Sequence, residues 1–390
     1  MLPTLIALFG LSAWIYLIAF RGGFWRLTEH DRGFAPEGAA PSSTAHVIAI
    51  VPARNEAEVI AASLGSLLKQ DFPGRFEIVL VDDQSNDDTA AVARALAEKL
   101  HAEDRLTILR AAGPGAGWTG KLAAMHQGFV HVQSLPAQPD FVLFCDADIA
   151  FAPPVLSRLV AGATARGTVL SSLMVKLRCE TRVERWFIPA FVFFFQKLYP
   201  FRHINDPGSP VAGAAGGVML VRPQALANAG GLPEIRNALI DDCALGGIMK
   251  SQGPIWLGLT DDVHSLRPYP RFADIEHMIV RSAYAQLGYS PARALTALAG
   301  MVGIYLAPPL IALFGGSPAA EIAMVAWLIK TQAYVPSLRF YGLSPARALA
   351  LPAIAGCYTW FTALSVWRHV NGRGGDWKGR YQAAHGQKIA

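Results

Sequence analysis

Short apolar runs that end in acidic or polar residues recur along the first half of the chain. Runs of this length predict buried strands, and the helical periodicity over 60–68 and 90–100 predicts helices between the first of them. Strand, helix, strand, helix, strand predicts a parallel sheet with right-handed crossovers. The predicted strands are His46–Val51, Phe76–Val81, Leu106–Leu109 and a central run within Phe141–Ile149.

The central run leads directly into Asp146-Ala-Asp148. Two carboxylates two residues apart lie on the same side of an extended chain, at the strand end where open α/β sheets bind ligands. They repel each other unless a cation lies between them, so a divalent metal with open positions for phosphate oxygens is the natural partner. The alternative is a strand end with two solvated acids.

Polar turns also follow the first two strands. Pro52-Ala-Arg-Asn-Glu56 and Asp82-Asp83 stand where carboxylates can accept hydrogen bonds from a ribose or a base. Gly113–Lys121 is glycine-rich and ends in Lys121, whose ammonium can reach a diphosphate; the alternative is a plain surface loop. The first strand is not followed by Gly-x-Gly-x-x-Gly, which argues against a dinucleotide-binding fold.

Long uncharged stretches at both ends of the chain predict membrane segments. Leu2–Phe20 carries no charge and is followed by Arg21 and Arg26, which predicts a retained anchor with the next segment in the cytosol; a signal peptide is the alternative. Three apolar stretches follow near the C-terminus, and the middle one is the least certain because charges interrupt it. Four spans would put a basic tail outside, against the usual charge bias. The three stretches are Ala294–Phe314, Ala319–Val335 and Ala348–Trp367.

Composition agrees with a membrane protein. The 390 residues are 52% hydrophobic and only 16% charged, and the mean hydropathy is +0.30. The formal net charge of +5 is modest, so it favours an anionic membrane surface as partner over nucleic acid. None of the four cysteines has C-x-x-C spacing, and we expect all four to be reduced packing residues.

An aromatic run, Trp186–Phe195, lies in the middle of the chain beside a cluster of mixed charges. It is too short to span a bilayer, and its composition favours an interfacial or re-entrant segment; a buried core helix is the alternative. Farther on, Ala212–Gly217 precedes a predicted strand, and its small residues allow close approach of a backbone or a ligand.

Four blocks together resemble family 2 glycosyltransferases: Pro52–Glu56, Val81–Ser85, Gly120-Lys121, and Asp146-Ala-Asp148. The resemblance covers about Val47 to Leu266. It implies a GT-A fold, that is, an α/β, Rossmann-like and mostly parallel sheet, and an inverting transfer from a nucleotide-sugar. The residues that it implies are Pro52, Ala53, Arg54, Glu56, Asp82, Asp83, Lys121 and Asp146 for the nucleotide-sugar, Asp148 with Asp146 for Mg²⁺ or Mn²⁺, Asp242 with Asp241 for catalysis, and Gly216 and Gly217 on the acceptor side. The aromatic run itself predicts Phe193, Phe194 and Phe195 on the acceptor side, as apolar walls for a lipid at the membrane interface.

Within the resembled family an acidic pair at Leu239–Leu245 carries the base, and Asp242 occupies that position. An Asp-Asp pair at a helix start is otherwise more often an N-cap. The later Gln-x-x-Arg-Trp motif is not present as such; Arg281–Gln286 and Trp377–Tyr381 are two weak candidates to replace it.

Stretches along nearly the whole chain also resemble bacterial hopanoid-biosynthesis-associated glycosyltransferases, among them Gly117–Lys121 and Gly253–Leu259. This resemblance implies an association with hopanoid lipids and hence a lipid acceptor. Together with Arg21 and Arg26 after the first apolar stretch, it predicts an enzyme of the bacterial inner membrane whose catalytic domain faces the cytosol. The alternatives are a processive polysaccharide synthase of the same fold and a non-catalytic membrane scaffold. The predicted organisation is an anchor at 1–21, a linker at 22–45, a catalytic domain at 46–270, an amphipathic interfacial helix at 271–290, transmembrane helices at 291–368 and a basic tail at 369–390.

Overall fold

The computed structural model describes residues 1–377 and 380–381. The chain forms two compact units. The sheet unit consists of Glu29–Arg178 and His203–Pro268, and the helical unit consists of Met1–Thr28, Cys179–Arg202 and the described residues from Tyr269 onward. Residues 179–202 were predicted to be part of the catalytic domain, whereas here they cluster with the apolar helices; the predicted domain boundaries stay predictions.

The sheet unit is built on one eight-stranded sheet in the order β3-β2-β1-β4-β7-β6-β8-β5. The four strands from β3 to β4 pair in parallel, as predicted, whereas β7 pairs antiparallel with both of its neighbours and β5 pairs antiparallel with β8. The strands are β1 (His46–Ala53), β2 (Arg75–Asp82), β3 (Leu106–Arg110), β4 (Phe141–Cys145), β5 (Ile149–Phe151), β6 (Leu170–Lys176), β7 (Val218–Val221) and β8 (Ile255–Ser265).

Helices cover this sheet because its central strands are apolar on both faces, which the continuous hydrophobic runs predicted. All eight residues of β1 are buried. At Gly128 a Cβ would lie 2.6 Å from Cγ2 of Ile50, so the absence of a side chain there lets the fourth helix lie directly on β1. The helices with residues in this unit are α2 (Ile60–Leu68), α3 (Thr89–Leu100), α4 (Gly120–Gln133), α5 (Val155–Arg166), α7 (Phe201–Asn205), α8 (Pro223–Asn228) and α9 (Asp241–Lys250).

Part of the predicted linker packs into the sheet unit. Phe34 is buried and stacks on Trp256, with ring centroids 3.9 Å apart. Gly162 leaves room for this ring, because a Cβ at that position would lie 2.3 Å from it. Composition rich in Gly, Pro and Ser therefore did not reveal that Phe34 anchors this segment.

Among the residues that the structure describes, the helical unit contains three helices that are long and apolar enough to cross a membrane: Leu2–Phe20, Pro291–Phe314 and Pro345–Val370. The middle apolar stretch forms a 22-residue helix but is not among the three. The helices of the helical unit are α1 (Leu2–Phe20), α6 (Arg182–Leu198), α10 (Phe272–Val280), α11 (Ala283–Gln286), α12 (Pro291–Met301), α13 (Ala307–Phe314), α14 (Ala319–Phe340) and α15 (Leu351–Val370). The two-residue strands β9 (Asp376–Trp377) and β10 (Arg380–Tyr381) follow them.

A π-helical turn at Val302–Leu306 joins α12 to α13. Such a turn shifts the helical hydrogen-bond ladder, and two of its carbonyls accept from side chains of other helices. Trp14 donates its Nε1–H to the carbonyl of Ile304 at 2.9 Å, and the Lys330 ammonium donates to the carbonyl of Tyr305 at 2.6 Å. The charged Lys330 in the otherwise apolar α14 therefore has a structural partner, a backbone carbonyl of the π-helical turn.

Two stretches of the helical unit, residues 271–290 and the aromatic run, can be compared with the sequence-based expectation. The amphipathic helix predicted over 271–290 is two shorter helices, α10 and α11, with a break at Arg281 and Ser282. The aromatic run lies within the single helix α6, which begins with a capping box between Thr181 and Glu184.

Candidate active site

The candidate site lies in the sheet unit at the carboxyl end of β4. Asp146 and Asp148 follow that strand in the short turn before β5. The Asp146 side chain is 33% exposed, whereas that of Asp148 is 9% exposed. The two predicted metal ligands are therefore present at one strand end, and Asp146 is the more accessible of the two.

Lys121 joins this pair to a second acidic pair. It is the second residue of α4, whose first turn is capped by the hydroxyl of Thr119. Its Nζ lies 2.8 Å from Oδ1 of Asp146 and 3.0 Å from Oδ2 of Asp241. Burial alone would lower the pKa of Lys121, but the two carboxylates outweigh burial and raise its pKa above the ordinary value. Lys121 therefore remains an ammonium at neutral pH.

The second acidic pair opens α9. Asp242 accepts from the backbone N–H of Gly216 at 2.9 Å through Oδ2 and from that of Cys243 at 2.7 Å through Oδ1. Burial first, and then the neighbouring carboxylate of Asp241, raise the pKa of Asp242 to about 6. A carboxylate with a pKa near neutrality is suited to take up a proton in a reaction.

The small residues predicted on the acceptor side are required by close packing. A Cβ on Gly216 would lie 3.2 Å from Nζ of Lys121 and 3.4 Å from Oδ2 of Asp242. A Cβ on Gly217 would lie 2.9 Å from Cγ1 of Val175. Gly216 thus allows the backbone N–H to reach Asp242 while Lys121 lies beside it.

The polar turns after β1 and β2 are cross-linked at the same edge of the sheet. Arg54 donates to the backbone carbonyls of Asp83 at 2.6 Å and Gln84 at 3.1 Å. Asp82 accepts from the backbone N–H of Ser85 at 3.0 Å. Asp82 and Asp83 are both buried, and Pro52 and Ala53 are the last residues of β1, opposite Val81 and Asp82. Arg54 thus links the turn after β1 to the turn after β2 at this edge.

Sequence reasoning missed Arg267. It follows β8, and its guanidinium donates to Oδ2 of Asp148 at 2.7 Å and to Oε1 of Glu56 at 2.9 Å. The backbone N–H of Leu266 donates to the carbonyl of Asp148 at 2.7 Å, which fixes the adjacent chain. Mostly polar residues separate Arg267 from the apolar run Ile255–Leu259, so no local signal in the sequence marked it.

The structure brings most of the predicted residues together in the sheet unit, but Phe193, Phe194 and Phe195 belong to α6 of the helical unit. Phe193 and Phe194 are buried, and Phe195 is half-buried. The ring of Phe193 lies 5.4 Å from that of Phe24 and 5.2 Å from that of Tyr334. The alternative of a buried core helix therefore describes Phe193 and Phe194, and the acceptor role of the run stays a prediction.

The donor chemistry of Asp146 and Asp148 suits Mg²⁺ or Mn²⁺. Among residues 1–377 and 380–381, no group of three or more His, Cys, Asp or Glu side chains is arranged to hold an ion. Mg²⁺ is commonly held by one or two carboxylates together with substrate phosphates, so two carboxylates at one strand end fit such a cation. In this structure the same two carboxylates are paired with Lys121 and Arg267.

Residues 48–229 match the family model described as Glycosyl transferase family 2. Over this segment, which is a little under half of the chain, the sequence is similar to that family. The matched segment includes both residues of the first acidic pair and Lys121, whereas Asp241, Asp242 and Arg267 lie after it.

Curated relatives match about a quarter of the chain. The chain is 34% identical over 107 residues to 4,4'-diaponeurosporenoate glycosyltransferase of Staphylococcus haemolyticus, which is 27% of this chain and 25% of that protein. It is 36% identical over 100 residues to poly(ribitol-phosphate) beta-N-acetylglucosaminyltransferase TarS of Staphylococcus aureus, which is 25% of this chain and 15% of that protein. The chain thus spans a quarter or less of the length of these relatives.

A solved structure resembles nearly the whole chain. It is the mannosyltransferase PcManGT from Pyrobaculum calidifontis in complex with GDP-Man and Mn²⁺, with a TM-score of 0.55, 21% identity, and coverage of 95% of this chain and 98% of that one. At this identity the likeness shows the fold, which is the α/β GT-A fold that the sequence predicted, with apolar helices toward both ends.

Proposed function

We propose that the protein is a membrane-bound, inverting glycosyltransferase that moves a sugar from a nucleotide-sugar, probed first as a UDP-sugar, to a lipid acceptor. The observation that carries this proposal is the environment of Asp242. Its carboxylate is held by the Gly216 and Cys243 N–H groups, has a pKa of about 6, and lies beside the Lys121 link to Asp146. A scaffold without activity has no need of such a group.

The two acidic pairs have different roles in the proposed reaction: the first binds the cation, and the second accepts a proton. Asp146 and Asp148 would hold the divalent cation, Mg²⁺ or Mn²⁺, which when bound neutralises charge on the departing diphosphate. Lys121 adds a positive charge between Asp146 and Asp241. The donor-side residues thus favour departure of the nucleoside diphosphate from the anomeric carbon.

Asp242 acts on the acceptor. Its carboxylate takes the proton of an acceptor hydroxyl while that oxygen bonds to the anomeric carbon and the bond to the diphosphate breaks on the opposite face. One displacement inverts the configuration at that carbon, and general-base catalysis of this kind contributes about 10²–10⁴-fold in rate. Asp242 leaves the step as the neutral acid, which its pKa of about 6 allows.

The lipid acceptor rests on the membrane segments and on the resemblances. The described part of the chain contains three helices that are long and apolar enough to span a membrane. The relative from S. haemolyticus is named for transfer to a carotenoid-related acceptor, diaponeurosporenoate, and stretches along nearly the whole chain resemble hopanoid-associated enzymes. We therefore assign the acceptor to lipids, within hopanoid biosynthesis.

Three spans also agree with an orientation in the bacterial inner membrane. With α14 not crossing, an outside N-terminus leaves both the glycosyltransferase domain and the basic tail in the cytosol, as the positive-inside rule favours. A cysteine introduced at Ser42 should then react with a membrane-impermeant maleimide only in inside-out vesicles. Labelling of intact cells would overturn this orientation.

The function is tested by lipid analysis of a deletion strain beside its parent. The proposal expects one glycolipid to disappear, its unglycosylated precursor to accumulate, and both to be restored by the wild-type gene but not by an Asp242→Asn gene. Loss of a polysaccharide with unchanged lipids would favour a polymerising synthase. An unchanged pool of both, together with no nucleoside diphosphate release by the purified protein, would favour the scaffold.

A further inference from the structure

Arg267 lies where it can control access of a cation to the site. Its guanidinium occupies Oδ2 of Asp148 at 2.7 Å, and Asp148 was predicted to be the chief metal ligand. The same guanidinium holds Glu56 at 2.9 Å, in the turn after β1. The Arg267 side chain is 38% exposed, whereas Asp148 is 9% and Glu56 is 12% exposed. The arginine can therefore move out toward solvent while the two carboxylates stay in place.

A guanidinium and a divalent cation compete for such a carboxylate. Both are attracted to the same oxygen, and they repel each other at short distance. Lys121 holds Asp146 at 2.8 Å in the same way. Donor-free protein therefore has each carboxylate of the first acidic pair matched by a cation of its own chain, and a metal entering alone must displace one of them.

A nucleoside diphosphate removes this obstacle. Phosphate oxygens are good bidentate acceptors for a guanidinium, and they bring negative charge that a divalent cation also requires. Once a diphosphate is present, Arg267 gains a second partner and Asp148 becomes free for the cation. Metal and nucleotide then favour each other's binding, and this coupling is reciprocal.

We propose that Arg267 is a resident counter-cation of Asp148 that keeps divalent metal from binding firmly until the nucleoside diphosphate arrives. This inference rests on the proposed function, because it assigns an order to donor and metal at the same site. Arg267 is a positioning residue in this scheme: it acts on the metal through Asp148.

The test measures Mn²⁺ binding to the full-length protein in lipid nanodiscs, from the electron paramagnetic resonance signal of free Mn²⁺, without nucleotide. Arg267→Ala should bind Mn²⁺ more tightly than wild type by about tenfold, in line with a lost hydrogen bond between charged groups. Arg267→Lys keeps the positive charge but loses the forked hydrogen-bonding geometry of the guanidinium, so its Mn²⁺ affinity should lie between those of wild type and Arg267→Ala. This variant also provides the test if Arg267→Ala does not fold.

Two further arms complete the design. UDP and GDP are added in turn: in wild type the diphosphate should tighten Mn²⁺ binding, and in Arg267→Ala this coupling should largely disappear. The matched control is Arg32→Ala, which removes an exposed guanidinium paired with Asp262 in the same unit and should leave Mn²⁺ binding unchanged.

The possible outcomes distinguish a failure of the Arg267 inference from a failure of the proposed glycosyltransferase function. Equal or weaker Mn²⁺ binding by Arg267→Ala, with firm binding by wild type, would overturn the role of Arg267 and leave the glycosyltransferase proposal intact. No Mn²⁺ binding by any variant, even with UDP or GDP present, would overturn the metal-dependent function and this inference together.

Discussion

The two acidic pairs of the site look alike in the sequence but differ in the groups that hold them. Lys121 pairs with the first residue of each, Asp146 and Asp241. The second residue differs: Asp148 is held by a guanidinium, and Asp242 is held by two backbone N–H groups. A carboxylate with a direct counter-charge suits cation binding, whereas burial beside a like charge favours a carboxylate that exchanges a proton near neutral pH.

This difference assigns their chemistry. Asp148 is paired directly with a guanidinium, so it suits a cation or its substitute, Arg267. Asp242, with a pKa of about 6, suits proton transfer. Equal behaviour of the two pairs under mutation would break the comparison, and the predictions below are ordered by the size of the effect expected.

Loss of the cation site should have the largest effect. Asp148→Ala, or excess chelator with wild type, should reduce transfer by roughly 10³-fold or more, because the charge on the departing diphosphate is no longer neutralised. Release of nucleoside diphosphate by the purified protein measures this, and Mn²⁺ or Mg²⁺ should restore the chelated wild type. Asp104→Ala removes an exposed carboxylate of the same unit and is the control. Full activity in excess chelator contradicts the assignment.

Loss of the base should have the next largest effect. Asp242→Asn should lower kcat by about 10²–10⁴-fold while the donor still binds, since only the proton acceptor is removed. Transfer rates and donor binding by calorimetry measure the two quantities. Asp241→Asn is the matched control at the adjacent position and should be milder; if it proved the more damaging, the roles within this pair would be reversed.

The aromatic run should affect only the acceptor. Phe195→Ser changes a half-buried ring and should raise the KM for lipid acceptor by roughly tenfold while leaving that for the donor unchanged, as loss of binding to one substrate requires. Phe193→Ala is the contrasting variant: its ring is fully buried, and its loss should lower the free energy of unfolding by about 3–5 kcal/mol.

Steady-state kinetics with each substrate varied, and thermal unfolding, separate these two effects. An unchanged acceptor KM in a folded Phe195→Ser protein would reduce the whole run to core packing.

The sequence predicted the parallel half of the sheet and the acids at its edge because both are local signals: an apolar run and the residues that follow it. It also predicted Gly216 and Gly217 as points of close approach. The sequence did not predict pairings between residues that are far apart along the chain. Lys121 and Asp241, or Asp148 and Arg267, are more than a hundred positions apart, and nothing near either residue marks its partner.

Two other differences have the same cause. Phe34 looked like part of a linker because its partner, Trp256, belongs to β8. Lys330 looked like an interruption of a span because the carbonyl that it holds belongs to the π-helical turn after α12. In both cases tertiary contact, not local composition, decides the structure.

The acidic limb of the pH profile tests most directly the claim that Asp242 is the base. In wild type, kcat/KM for the acceptor should rise with pH through about 6, because only the deprotonated Asp242 accepts a proton. Burial is the main cause of this raised pKa, Asp241 raises it further and Lys121 lowers it. Asp241→Asn should therefore move the limb to lower pH, and Lys121→Met should move it to higher pH. A limb that stays at the same pH in all three proteins would contradict the assignment of Asp242.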